Sequence, residues 1–237
     1  MGNQNYPDHL SAVKPIAILV DGGFFIKRYR KCYKDGSTHD PKTVAKNMYT
    51  MVMNHADKAR LLRIFFYDCP PLDKKAHNPI TSKSIDFGKS EQALFRTKFH
   101  EELRKLRKVA LRLGYLKDNG SWLISPTKTK ELLRGNIKLD NLDERDVKFD
   151  IRQKGVDIKI GLDIASLAYK SLVDRIILVS GDADFVPAAK LARREGIDFI
   201  LDPMWKSIDN SLHEHIDGLR SACPKPKYQS ENKEEYE

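Results

Sequence analysis

IILVSGDADFVPAAKLA, Ile176 to Ala192, decides how this chain is read. The unbroken apolar run Ile176-Ile177-Leu178-Val179 fits a strand covered on both faces, as strands of a parallel sheet are. The acidic turn Ser180-Gly181-Asp182-Ala183-Asp184 follows, and a helix begins at once. Parallel sheets with helical crossovers bind ligands just beyond the carboxyl ends of their strands. Asp182 and Asp184 stand at such an end. A structural role is the alternative: Asp184 suits the N-cap ahead of Phe185, with Pro187 tolerated in the first turn.

The same signal recurs along the chain. Ile16-Ala17-Ile18-Leu19-Val20 runs into Asp21-Gly22-Gly23, Leu61 to Tyr67 into Asp68, and Ile197 to Leu201 into Asp202. Helical patterns fill the intervals: Phe24 to Lys34, Asp40 or Thr43 to Met53, Glu91 to Lys108, about Asp157 to Leu172, Phe185 to Arg194 and Ser207 to Arg220. In the helix from Glu91, Leu94, Phe95, Phe99, Leu103 and Leu106 recur at helical spacing as its inward face, and in the helix from about Asp157, Ile160, Ile164, Leu167 and Ala168 are expected to face inward. Strand alternating with helix predicts an α/β fold with a mainly parallel sheet. Between these elements, residues 72–90 read as a loop. Val109 to Leu116 reads as a strand, Asn119-Gly120 as a hairpin turn and Trp122 to Ile124 as the return strand. Val147, Phe149 and Ile151 alternate along a further, partly exposed strand.

The 237 residues allow one large α/β domain with tails or two small domains, and 41% hydrophobic residues suffice for a packed core. Residues 1–14 and 221–237 read as flexible tails around a domain at 15–220. A net charge of +9 favours polyanionic partners, nucleic acid above all. No apolar stretch would span a membrane. The start MGNQNYPDHLSAVK lacks the apolar core of a signal peptide, which predicts a cytoplasmic protein with no membrane partner. Cys32, Cys69 and Cys223 form neither a zinc pattern nor a disulfide framework. The glycines after Asp21 lack the G-x-G-x-x-G spacing of a dinucleotide loop, and there is no P-loop.

If the strand at Ile176 lies beside the first strand, Asp21 and Asp182 meet where the strand order reverses. The helix from Asp157 would bring a third carboxylate there. Such a cluster cannot stay fully ionised without a counter-cation. Mg²⁺ and Mn²⁺ are the hard ions that suit oxygen ligands, and they serve phosphodiester cleavage. Asp163, near mid-helix, also needs an exposed face or a ligand to account for it. Lys27, Arg28, Arg30, Lys31, Arg104, Lys105, Arg107, Lys108 and Lys154 are the candidate contacts to a nucleic-acid backbone. His213 and His215 do not share a helical face and read as surface residues.

Leu19-Val20-Asp21-Gly22-Gly23, Lys154-Gly155-Val156-Asp157 and Val179 to Phe185 resemble the three signatures of the NYN domain. They are most similar to its bacterial LabA-like (DUF88) branch, within the PIN-like nuclease superfamily. Leu201-Asp202-Pro203 and His215 to Leu219 extend the likeness, which covers roughly residues 15 to 220. The resemblance implies a PIN-like three-layer sandwich and a metal-dependent ribonuclease. It implies Asp21, Asp157 and Asp182 as catalytic metal-holding residues, with Asp184 and Asp163 at further acidic positions. Many relatives carry Asn three residues after the first aspartate, where this chain has Phe24. Residues near 118–146 have no counterpart in the family core and read as an insert that shapes substrate choice.

Two other readings stay open on the sequence. One is a regulatory or nucleic-acid-binding protein of PIN-like fold without cleavage, favoured by Phe24. The other is a phosphatase of the haloacid dehalogenase type, disfavoured because Gly23 stands where its second aspartate belongs. RNA is the expected partner, and homo-oligomerisation is left open.

Overall fold

β1 (Ile16–Asp21) runs through the middle of the molecule, and its first five side chains are all buried. Ile16, Ile18 and Val20 point into one apolar layer, and Ala17 and Leu19 into a second. Two-residue periodicity therefore divides a continuous apolar run between two cores. The computed structural model describes residues 15–56 and 60–226.

β2 (Leu61–Asp68) and β8 (Arg175–Val179) pair with β1 on either side, both parallel. Beyond β2 lies β5 (Val109–Leu113). Beyond β8 lie β9 (Asp198–Asp202) and β10 (Gly218–Leu219), and every pairing is parallel. The order β10-β9-β8-β1-β2-β5 means that the chain starts mid-sheet, winds out to one edge, then returns and winds to the other. The reversal falls between β1 and β8.

α1 (Gly22–Cys32), α2 (Pro41–Ala56) and α3 (Glu91–Lys105) cover the Ile18 and Val20 face. α5 (Val156–Tyr169), α6 (Val186–Arg194) and the one-turn α7 (Asn210–His213) cover the Leu19 face. This is the expected three-layer α/β sandwich. No helix among the described residues is long and apolar enough to cross a membrane.

Two smaller sheets sit on this frame, and both depart from expectation. Residues 72–90 hold a short antiparallel hairpin of β3 (Lys75–His77) and β4 (Ser84–Asp86) rather than a plain loop. β6 (Tyr115–Ile124) runs straight through Asn119-Gly120 and pairs antiparallel with the distant β7 (Val147–Lys154). Gly120 takes a φ of 69° where the register slips between Asp118 and Trp122, so the dipeptide forms a bulge and not a hairpin turn. α4 (Pro126–Leu133) lies in the connection between β6 and β7.

The strand expected from Val109 to Leu116 breaks at Gly114. A Cβ there would stand 2.4 Å from the Lys154 carbonyl oxygen, so only glycine lets the chain pass beneath β7. α3 ends at Lys105 and not at Lys108, which takes a φ of 63°. Leu94, expected inward on α3, is half exposed. The long last helix shrinks to α7 because Asp217 ties the chain to β9. Its Oδ2 accepts from Phe199 N at 2.9 Å and its Oδ1 from Arg193 Nε at 2.9 Å. The expected tail at 1–14 lies outside the described residues, as does 227–237. Residues 221–226 are placed, with Cys223 buried and its carbonyl accepting from Trp205 Nε1 at 2.8 Å.

Candidate active site

Four aspartates end strands of the main sheet, and the fold sorts them into two pairs. Asp68 is buried at the end of β2, where Arg96 Nη1 stands 2.5 Å and His100 Nε2 2.7 Å from its Oδ2. Burial alone would raise its pKa, but His100 and Arg96 outweigh that and hold the carboxyl below its ordinary value. Asp202 is buried at the end of β9, 2.7 Å from His55 Nε2, and accepts from Met204 N at 2.8 Å and Ala222 N at 3.1 Å. Both are satisfied from within the protein.

Asp21 and Asp182 are not. Val20 lies beside Val179 across β1 and β8, so Asp21 and the turn carrying Asp182 emerge from neighbouring strands at the reversal. Asp21 Oδ1 accepts from Phe24 N at 3.1 Å and caps α1. Asp182 Oδ1 accepts from Asp184 N at 3.0 Å and caps a 3₁₀ turn, Ala183–Phe185. Asp182 thus holds the capping role weighed for Asp184. Asp157 sits exposed in the first turn of α5, which Gly155 opens with a φ of 81°. None of Asp21, Asp157, Asp182 and Asp184 has an ion-pair partner among the described residues.

Their charges act on one another. Burial pushes the Asp21 carboxyl up to about 6, against the pull of the Phe24 N–H, and the charges of Asp157 and Asp182 add to the rise. Partial desolvation, and then the charges of Asp182 and Asp184, raise the Asp157 carboxyl as well. This is the electrostatic state that a bound cation relieves. Ser180, which opens the acidic turn after Val179, is fully buried, and its Oγ has no hydrogen-bond partner among the described residues. An orphan hydroxyl beside convergent carboxylates fits a hydrated ion. Among the described residues, no three His, Cys, Asp or Glu side chains form a ready-made cage. The donor set therefore fits the Mg²⁺ manner of binding, in which one or two carboxylates serve and water and phosphate complete the shell.

Six expected contributors are placed elsewhere. Asp163 accepts from Tyr67 Oη at 2.8 Å and from Arg112 Nη2 at 3.0 Å, so its mid-helix carboxylate is explained by these internal partners. Arg28 is buried, and its Nε and Nη2 donate to the Met204 carbonyl at 3.0 Å and 2.7 Å. It braces α1 against the segment after β9. Arg104, Lys105, Arg107 and Lys108 cluster at the amino end of the sheet, since Lys108 Nζ donates to the carbonyl of Leu61, where β2 begins. A strand's length, roughly 20–25 Å, separates them from the aspartates. Lys105 is also paired with Glu102 at 2.6 Å. Lys27, Arg30 and Lys31 are exposed along α1, and Lys154 is exposed at the end of β7, three residues before Asp157.

Lys206 carries no motif signal in the sequence. A Cβ on Gly181 would lie 3.4 Å from Lys206 Cδ, so this lysine stem lies against the acidic turn. Gln153 was equally silent. A Cβ on Gly23 would stand 3.4 Å from Asp21 Oδ1 and 3.7 Å from Gln153 Oε1, so both oxygens flank one small space. Neither residue belongs to a spaced motif; strand pairing and a returning loop bring them in. His213 is exposed, as expected.

The model of the NYN domain family matches residues 83–217, more than half of the chain, and includes Asp157 and Asp182. No curated protein matches the sequence. NYN domains lie within the PIN-like nuclease superfamily, whose members generally use divalent metals. This chain belongs to the NYN domain family, and the activity its family implies is that of a nuclease.

Proposed function

We propose that the protein is a Mg²⁺- or Mn²⁺-dependent ribonuclease that hydrolyses phosphodiester bonds of single-stranded RNA. The domain spans residues 15–220 in this reading, and the likeness of its motifs to those of the LabA-like branch supports assigning it there. The observation that carries the proposal is the division among the strand-end aspartates. Asp68 and Asp202 have internal partners, whereas Asp21 and Asp182 emerge without ion-pair partners beside the reversal, with Asp157 in their field.

Asp21, Asp157 and Asp182 would hold the ion, with Asp184 beside them. When bound, it supplies activation of the attacking water and neutralisation of phosphate charge. The chain's own residues do the rest. Asp21, capped onto α1, offers a carboxylate on a rigid strand end. Asp182 is fixed by its own capping bond. Lys154, exposed three residues before Asp157, and Lys206, whose stem lies against Gly181, would steady an RNA backbone.

The test is cleavage of labelled single-stranded RNA and DNA with Mn²⁺ or Mg²⁺, beside an EDTA control and Asp182→Asn. Metal-dependent cleavage of RNA, lost in a variant that keeps its circular dichroism spectrum, is the expected result. Full activity in Asp182→Asn would sink the proposal.

A second reading, RNA binding without cleavage, draws on Phe24. Its ring fills the room beside the acidic turn where many relatives carry Asn. RNA that binds with a salt-sensitive affinity and stays intact in Mn²⁺ would favour that reading.

A further inference from the structure

A cavity of about 350 Å³ opens next to the aspartates, one strand over from Asp21. It lies between the end of β2, the first turns of α3 and the β6–β7 ribbon. That size is at the small end of ligand pockets, about 300 Å³ upward, and suits one nucleoside. Phe87, Leu116 and Ile151 give it apolar walls, and Gln92, Arg96 and Gln153 give it polar ones. Its Gln153 wall is the side chain that shares a space with Asp21 Oδ1.

The lining is built and not incidental. Phe87 is stacked on Phe149 with centroids 5.1 Å apart, and Trp122 meets Phe149 edge-on at 5.3 Å, so the aromatic wall is braced from behind. Arg96 is held by the buried Asp68, which uses one N–H and leaves the others of the guanidinium for a ligand. The side-chain amides of Gln92 and Gln153 have no hydrogen-bond partner among the described residues. Each amide offers both a donor and an acceptor. An apolar slot with a rim of amides and one fixed guanidinium matches a flat heteroaromatic ring with a polar edge. Unstacked bases of single strands are bound in this way, by ring contact on the face and hydrogen bonds on the edge. A larger, more open depression at the far end of α6 has its two arginines, Arg193 and Arg194, already paired with Asp217 and Glu195 and offers no such slot.

We propose that this pocket receives one unstacked base of a single-stranded nucleic acid whose backbone lies at Asp21. It deepens the nuclease reading and rests on it for the position of the backbone. The β6–β7 ribbon then sets sequence preference, through Leu116, Ile151 and Gln153.

The test measures binding without cleavage. Fluorescein-labelled single-stranded RNA octamers are titrated in EDTA and followed by anisotropy, with one abasic ribose walked through the positions. Wild type should lose roughly 5- to 100-fold in affinity at one position, as for a lost base–aromatic contact, and far less elsewhere. In Phe87→Ala with Gln92→Ala and Gln153→Ala the loss at that position should fall below about twofold. Should removal of Phe87 unfold the protein, Gln92→Ala with Gln153→Ala alone should still reduce it several-fold, since both side chains are exposed. Equal affinity at every abasic position, undiminished discrimination in the variants, or no binding at all would overturn the pocket. The Mn²⁺ cleavage assay decides separately. Discrimination without cleavage keeps the pocket and sinks the nuclease reading; cleavage with no abasic effect does the reverse.

Discussion

Gly181 and Phe24 are mutually fitted: a Cβ added to Gly181 would stand 2.9 Å from Phe24 Cε2. Position 181 in the acidic turn is therefore glycine because an aromatic ring from α1 occupies the space beside it. Phe24 N also donates to Asp21, so one residue touches both strand ends that carry the carboxylates. Gly181→Ala should push the turn off Phe24, cost about 1 to 3 kcal/mol of stability as overpacking does, and depress cleavage further than stability alone explains. Phe24→Ala should open the space, so that the double variant recovers part of the loss. Urea unfolding and cleavage rates of all four proteins measure this coupling.

Asp21 makes the metal-free protein sensitive to pH. Its folded carboxyl sits near 6 against an unfolded value near 3.8, so the folded state holds its proton more tightly. Stability from this group is full below the unfolded value and is lost as the pH rises through about 6. Asp21→Asn removes that dependence while leaving a side chain that still caps α1. In EDTA at pH 8, the variant should be about 2 to 3 kcal/mol more stable than wild type, with the two converging near pH 4. Thermal unfolding across that range measures it, and an unchanged gap would refute the assignment of strain to Asp21.

Asp68 predicts the opposite sign. Its folded pKa lies below the ordinary value because His100 and Arg96 outweigh burial. Its stabilisation is present above the unfolded value near 3.8 and is lost as the pH falls through the lower folded one. Asp68→Asn should cost about 3 kcal/mol at pH 7, the lower end for breaking a buried pair, because Arg96 retains some access to water. The deficit should shrink once the pH drops below about 4. Urea titrations at pH 7 and pH 3 provide the comparison.

These contrasts show what was legible in the sequence. The apolar runs at Ile16 and Ile176, each ending in an aspartate, were enough for the parallel sheet, because only strands covered on both faces lack alternation. The meeting of Asp21 and Asp182 followed once those strands were taken as neighbours. Which strand-end aspartates were spoken for was not legible. His100 reaches Asp68 across 32 positions and His55 reaches Asp202 across 147, and neither pairing leaves a local pattern. The Asn119-Gly120 dipeptide misled for a related reason. It carries the signal of a hairpin turn, but long-range pairing of β6 with β7 absorbed it as a bulge. Lysines and arginines carry no address either, so a run on α3 that looked like a phosphate contact lies at the wrong end of the sheet.

That last placement separates two sets of cations. Lys154 ends β7 near Asp157, and the stem of Lys206 lies against Gly181, whereas Arg104 and Arg107 stand at the amino end of the sheet. A short RNA bound at the aspartates should feel only the first set. Lys154→Gln and Lys206→Gln should each weaken binding of a single-stranded octamer several-fold and lower the slope of log affinity against log salt by about one. Arg104→Gln with Arg107→Gln should leave both quantities unchanged for the octamer. A longer strand that can cross the molecule should begin to sense the second pair, since exposed charges act within about a Debye length, roughly 10 Å at 0.1 M salt. Octamer binding that collapses in the Arg104 and Arg107 variant would move the RNA track to the α3 edge and away from the carboxylates.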